Sequence, residues 1–132
     1  MQAELSCIDH VHIFTSDRNQ ACDWYCHHLG FEIDTRYQSW AEDPAGPLTL
    51  VNGEIHIALF KRDSAIQSRH IAFGCDAKNF LLWREYLSSI AALKSCSDHH
   101  LSWSLYFEDP WSNQHEITCY EHHAIRSIIS ES

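Results

Sequence analysis

Residues 104–119 read SLYFEDPWSNQHEITC, and their alternation sets the architecture of the chain. Ser104, Tyr106 and Glu108 alternate with Leu105 and Phe107, which predicts a strand with one polar and one apolar face. Asp109-Pro110 and Ser112-Asn113 supply turn chemistry: Pro fixes φ, and short polar side chains bond their own backbone. A second strand follows over His115–Cys119, with Glu116 and Thr118 on one face and Ile117 and Cys119 on the other. A carboxylate on a face that also carries Tyr106 belongs either to a solvated surface or to a site. The rest of the chain decides between them.

Upstream, His70, Ala72 and Gly74 alternate with Ile71 and Phe73, a further strand. Residues 76–93 place Phe80, Leu81, Trp83, Leu87 and Ile90 at helical spacing, 94–98 read as a loop, and 121–130 as a terminal helix. The N-terminal half has the same order. His10, His12 and Phe14 share one face of a strand over 8–14, with Val11 and Ile13 on the other. Ser16 offers an N-cap, and Asp17–His28 a helix presenting Ala21, Trp24, Tyr25 and Leu29, stopped by Gly30. Residues 31–37 read as a strand, 40–47 as a loop and 48–51 as a strand. Asn52-Gly53 is a two-residue hairpin signal, and 55–60 the strand that returns from it, with His56 and Phe60 opposite Ile55, Ile57 and Leu59. The polar segment 61–69 divides two modules, about 7–60 and 70–120, with a C-terminal tail over 121–132.

The halves carry a numerical repeat. His10 and His56 are 46 positions apart, His70 and Glu116 are also 46 apart, and a shift of 60 relates the pairs. A residue able to bind a metal thus recurs at matched places in two strand–helix–strand modules. Each of these residues lies opposite the aliphatic run of its strand. If those runs pack on helices, His10, His12, His56, His70, Tyr106 and Glu116 all face the concave side of the sheets.

At 132 residues and 45% hydrophobic, with five Trp, the sequence suits one folded domain. A net charge of −9 disfavours nucleic acid and anionic membranes as partners. No apolar run approaches the roughly 20 residues of a membrane helix. MQAELSCIDH lacks the basic-then-apolar pattern of a signal peptide, so six Cys read as reduced thiols and a cytoplasmic location is expected. Cys22 and Cys26, beside His27 and His28, are core or surface thiols in preference to a metal site.

From IDHVHIFTSD (8–17) through WYCHHLGF (24–31) and RHIAFGCD (69–76) to YFEDPWSNQHEI (106–117), the chain resembles the vicinal oxygen chelate superfamily. That group includes glyoxalase I, bleomycin resistance proteins, fosfomycin resistance thiol transferases and extradiol dioxygenases. The resemblance implies an α+β fold: two paired βαβββ modules forming a curved, partly open mixed sheet around a divalent metal, with helices on the outer face. It maps the family's ligands onto His10, His70 and Glu116. Two imidazoles and a carboxylate suit Fe(II), with Mn(II), Ni(II), Co(II) and Zn(II) also compatible. The spacing of His99, Leu105, Tyr106, Asp109, Pro110 and Glu116 is similar to the extradiol ring-cleavage signature, although Ser97 and Ser112 depart from it. The expected enzyme is therefore a metal-dependent dioxygenase acting on a small substrate with vicinal oxygens. The alternatives are a glyoxalase-type lyase, a fosfomycin-type thiol transferase and a drug-binding resistance protein. Tyr106, His99 and His56 are the expected catalytic residues, with His56 either an acid–base group or a fourth ligand. His12, Phe14, Phe60 and Arg126 are expected to line the substrate pocket, and single-domain members of the superfamily imply a homodimer.

Overall fold

In chain order the computed structural model has β1 (Val11–Thr15), α1 (Arg18–Leu29), β2 (Glu32–Ile33), a 3-10 helix (Thr35–Glu42), β3 (Leu48–Asn52) and β4 (Ile55–Lys61). There follow β5 (Ile71–Gly74), α2 (Ala77–Ser89), β6 (Leu93–Asp98), β7 (Trp103–Glu108), β8 (Gln114–Cys119) and α3 (His122–Ile129). It describes Glu4, residues 7–62 and residues 70–129. The chain forms two compact units, Met1–Gln67 and Ser68–Ser132. The division falls in the expected connector, most of which lies outside the described residues.

The first unit is a four-stranded mixed sheet in the order β1-β4-β3-β2. β1 runs parallel to β4, while β3 is antiparallel to both β4 and β2. Ile13, Leu50, Ile57 and Leu59 are buried, and β3 and β4 pack on α1, whose Ala21, Tyr25 and Leu29 are buried too. The cap of α1 is Asp17, one residue beyond the expected Ser16: its carboxylate accepts from the backbone N–H of Asn19 and Gln20 at 3.0 and 3.1 Å. Gly30 ends the helix in the left-handed region (φ 76°), and the Asn52 side chain donates to the Leu29 carbonyl at 3.0 Å. The hairpin turn is thereby tied to the helix end.

The expected strand over 31–37 is cut to Glu32–Ile33. Asp34 accepts from the Arg36 backbone N–H and starts the 3-10 helix instead. A short polar side chain there offers the backbone a turn in competition with the ladder.

The second unit repeats the plan in the order β5-β8-β7-β6, and neither sheet closes on itself. α2 is capped by Asp76, which accepts from Asn79 N–H at 2.9 Å. It ends earlier than the 76–93 pattern suggests because Ala91 turns the chain into the left-handed region (φ 58°). The segment expected as a loop, 94–98, belongs instead to β6, an edge strand paired antiparallel to β7. Its Lys94, Ser95, Ser97 and Asp98 carry no apolar alternation, so ladder hydrogen bonds, and not a buried face, define it. Phe80 and Leu87 of α2 meet Leu105, Phe107, Ile117 and Cys119.

Candidate metal centre

In the second unit the hairpin alternation puts Tyr106 directly across from Glu116, and Ala72 of β5 on its other side. Glu116 Oε1 lies 2.6 Å from His70 Nε2. Its Oε2 accepts from Ser104 Oγ at 2.7 Å and from Thr118 Oγ1 at 2.5 Å. Burial would raise the Glu116 carboxyl, but these hydroxyls and His70 outweigh it and hold it below its ordinary range. The group is an ionised, oriented carboxylate. With the His70 proton on Nε2 the short contact is a hydrogen bond. With it on Nδ1, Nε2 and Oε1 both offer lone pairs to one cation. The pair therefore fits two positions of a divalent site.

Beside it, His99 Nε2 is 2.9 Å from the Tyr106 hydroxyl, and the Tyr106 ring centre 5.9 Å from that of His70. His99 is presented by a turn in which its N–H donates to the Ser102 carbonyl and His100 takes φ 70°. Arg126 lies in the last turn of α3, which packs on α2 through the buried Ile125 and whose His122 stacks on Trp103. That is the helix-bearing side of the sheet, across from Tyr106 and Glu116.

In the first unit His10, His12, Phe14 and Phe60 share the face opposite α1, as the alternation predicts. His10 Nε2 is 3.0 Å from His12 Nε2, and His10 Nδ1 is 2.8 Å from Asp9 Oδ2. A carboxylate on the other ring nitrogen fixes the tautomer of a ligating imidazole. His12 packs on Phe60 at 4.6 Å, and the Arg62 guanidinium lies over Phe14 and Phe60 at 5.0 and 5.7 Å. His56 Nδ1 stands 3.8 Å from Asp34 Oδ2. Asp34 is buried and is gripped by Arg36 Nε and Nη2 at 2.9 and 2.8 Å, which hold its carboxyl well below the usual range. Sequence reasoning missed Asp34 and Arg36; the only signal is an acid and a base two residues apart at a strand end.

The equal spacing of 46 does not carry equal register. Val11 pairs with Ile57, so one step earlier His10 and His56 stand level on neighbouring strands. In the second unit Ile71 pairs with His115, and Glu116 is level with Ala72, two residues past His70. β8 is slid two residues along β5 relative to β4 along β1. The slip is even, so every side chain keeps its face. His56 is thus not the positional counterpart of Glu116, contrary to the arithmetic.

Among the described residues, no three His, Cys, Asp or Glu side chains gather around one point. All six Cys are free, and the Cys22 and Cys26 sulfurs are 3.9 Å apart; burial pushes the Cys22 thiol up to about 12. No described helix is long and apolar enough to cross a membrane.

A fold of two βαβββ units with His and Glu side chains on the faces opposite the helices defines the class. Residues 7–117 match the model of the Glyoxalase/Bleomycin resistance protein/Dioxygenase superfamily, and the chain belongs to it. Solved structures of the same fold include a glyoxylase/bleomycin resistance protein/dioxygenase domain from Frankia sp. EAN1pec. It is 21% identical over 92% of this chain and 99% of that one, with a TM-score of 0.73. A lactoylglutathione lyase from Agrobacterium tumefaciens matches at 19% identity over 89% and 96%, with a TM-score of 0.72. A variant of the fosfomycin resistance protein FosX from Listeria monocytogenes, solved with Mn(II) and 1S,2S-dihydroxypropylphosphonic acid, matches at 16% over 88% and 93%, with a TM-score of 0.73. A search of the curated proteins finds no match.

Proposed function

We propose that the chain is a metal-dependent enzyme for a small substrate with two neighbouring oxygens, and that its reaction is extradiol-type ring cleavage. The observation that carries this reading is the Tyr106–His99 hydrogen bond beside the His70–Glu116 donor pair. His10, His70 and Glu116 hold the cation, with Fe(II) the best match to two imidazoles and one carboxylate. A bound divalent ion supplies Lewis-acid charge that acidifies a substrate hydroxyl and leaves positions open for substrate oxygens. Ser104 and Thr118 keep Glu116 aimed and ionised. Tyr106 donates its Oη proton to a substrate oxygen, and His99 Nε2 replaces it. His56, beside Asp34, moves the second proton in preference to ligating. The protein acts as a homodimer, and six free thiols suit the reducing cytoplasm.

Metal analysis and an oxygen electrode test this. Protein prepared without chelator is expected to carry bound metal and to consume oxygen with a catechol. Glu116→Gln is expected to lose both while keeping its circular dichroism spectrum. Unchanged metal content in Glu116→Gln would sink the centre as proposed. A second reading is favoured by the FosX structure, which holds Mn(II) with a vicinal diol. It is fosfomycin-type opening of an oxirane at the same centre, recognised by diol or thiol-adduct formation without oxygen uptake.

A further inference from the structure

Cys22 and Cys26 lie one turn apart on α1, and residues four apart share a helix face. Spacing alone favours plain core or surface thiols, but the two sulfurs approach to 3.9 Å. Cys22 is buried with Ala21, Tyr25 and Leu29, whereas Cys26 is half-buried. The pair therefore runs from the core of the first unit to its surface and is reached from solvent at the Cys26 end. The flanking imidazoles are engaged elsewhere: His27 and His28 pack on each other at 4.7 Å, and His28 on Trp24 at 5.3 Å.

The separation has a chemical meaning. With metal–sulfur bonds of about 2.3 Å, sulfurs 3.9 Å apart subtend an angle of about 116° at a shared ion. That is close to a tetrahedral edge, whereas a linear two-sulfur ion would hold them about 4.6 Å apart. The electrostatics point the same way. Burial raises both thiols, and the Asp23 and Glu32 carboxylates raise Cys26 further. Neither is a thiolate at neutral pH, so the pair lacks the thiolate that a nucleophile or redox sensor needs. A soft cation inverts the balance. A coordinated thiol gives up its proton outright, and nearby carboxylates then favour the added positive charge.

We propose that Cys22 and Cys26 form a second metal site, a two-sulfur clamp on α1 for a soft, thiophilic divalent cation. Thiolate ligands select soft ions, so this site and the imidazole–carboxylate centre take different metals. Among the described residues no third His, Cys, Asp or Glu joins the pair around one point, so solvent completes the coordination. The site lies on the helix, not on the open faces of the sheets, and does not depend on the reaction proposed above.

The test titrates Cd(II) into the full-length protein, kept reduced with a phosphine, and follows the ultraviolet thiolate-to-metal charge-transfer band. The band reports sulfur ligation alone, so Cd(II) held by imidazole and carboxylate does not contribute to it. The unaltered chain is expected to develop the band to saturation with release of protons. Cys26→Ala and Cys22→Ala are each expected to lose it. Ala is the strongest helix former, so Cys26→Ala keeps α1, and an unchanged circular dichroism spectrum verifies this. Cys75→Ala, which removes a half-buried thiol of the second unit, is expected to retain the band. No band in the unaltered chain overturns the proposal, as does a full band in Cys26→Ala or its loss in Cys75→Ala. Glu116→Gln is expected to keep the band, so the clamp and the imidazole–carboxylate centre fail separately.

Discussion

His56 separates two chemistries at one residue. Its neighbours Ile57 and Leu59 are buried and fix the face of β4 it occupies, and its Nδ1 lies 3.8 Å from the Asp34 carboxylate. A ligand and a proton carrier answer differently to removal. His56→Ala is expected to keep bound metal and to lower turnover by about 10²–10⁴-fold, the usual contribution of a general acid or base. Loss of metal in that variant would make His56 a ligand. His115 is the opposite case, a core histidine between Phe73 and Phe107. Burial pushes its pKa from 6.5 down to about 4. The unfolded chain therefore binds the extra proton first, and stability contributed by neutral His115 is complete above pH 6.5 and lost as the pH falls toward 4. The loss amounts to about 3 kcal/mol. Urea unfolding of metal-free protein across that range is expected to show the slope, and His115→Phe to flatten it. The alternation of HEITC already groups His115 with Ile117 and Cys119, so its burial was legible in the sequence. The Asp34–Arg36 grip was not, because it depends on where the 3-10 helix begins.

At the scale of elements, sequence signals were strong where an apolar face is buried and weak where backbone pairing alone is at work. β1, β3, β4, β5, β7 and β8 alternate, and α1 and α2 show helical spacing, so their existence could be read directly. β6 is polar and sits at a sheet edge, which is why its residues 94–98 look like a loop. β2 is two residues long because Asp34 diverts the chain. The Asn52-Gly53 turn is the clearest local code, and Gly53 takes φ 58° with open space around its Cα. Gly53→Ala thus meets no clash but forces an L-residue into the left-handed region. The expected cost is about 1 kcal/mol, read as a lower urea midpoint with an unchanged m-value.

The whole molecule is proposed to act as a homodimer. Sedimentation is expected to give a dimer at tens of micromolar chain, and a monomer that retains metal would refute it. The modular plan was legible because a strand–helix–strand order recurs. The pairing offset was not, since residue spacing counts positions along one strand and says nothing about its neighbour. That offset means the halves are no longer interchangeable parts. A one-residue slide would have driven Glu116 into the core, whereas two residues leave it on its face and carry it about 7 Å along the strand. Divergence between such copies is filtered by parity: strands can creep past one another in even steps while odd steps are lost. A chimaera that replaces β8 with β4 at matched sequence numbers would fold with every side chain on the proper face and still deliver its donor to the wrong height.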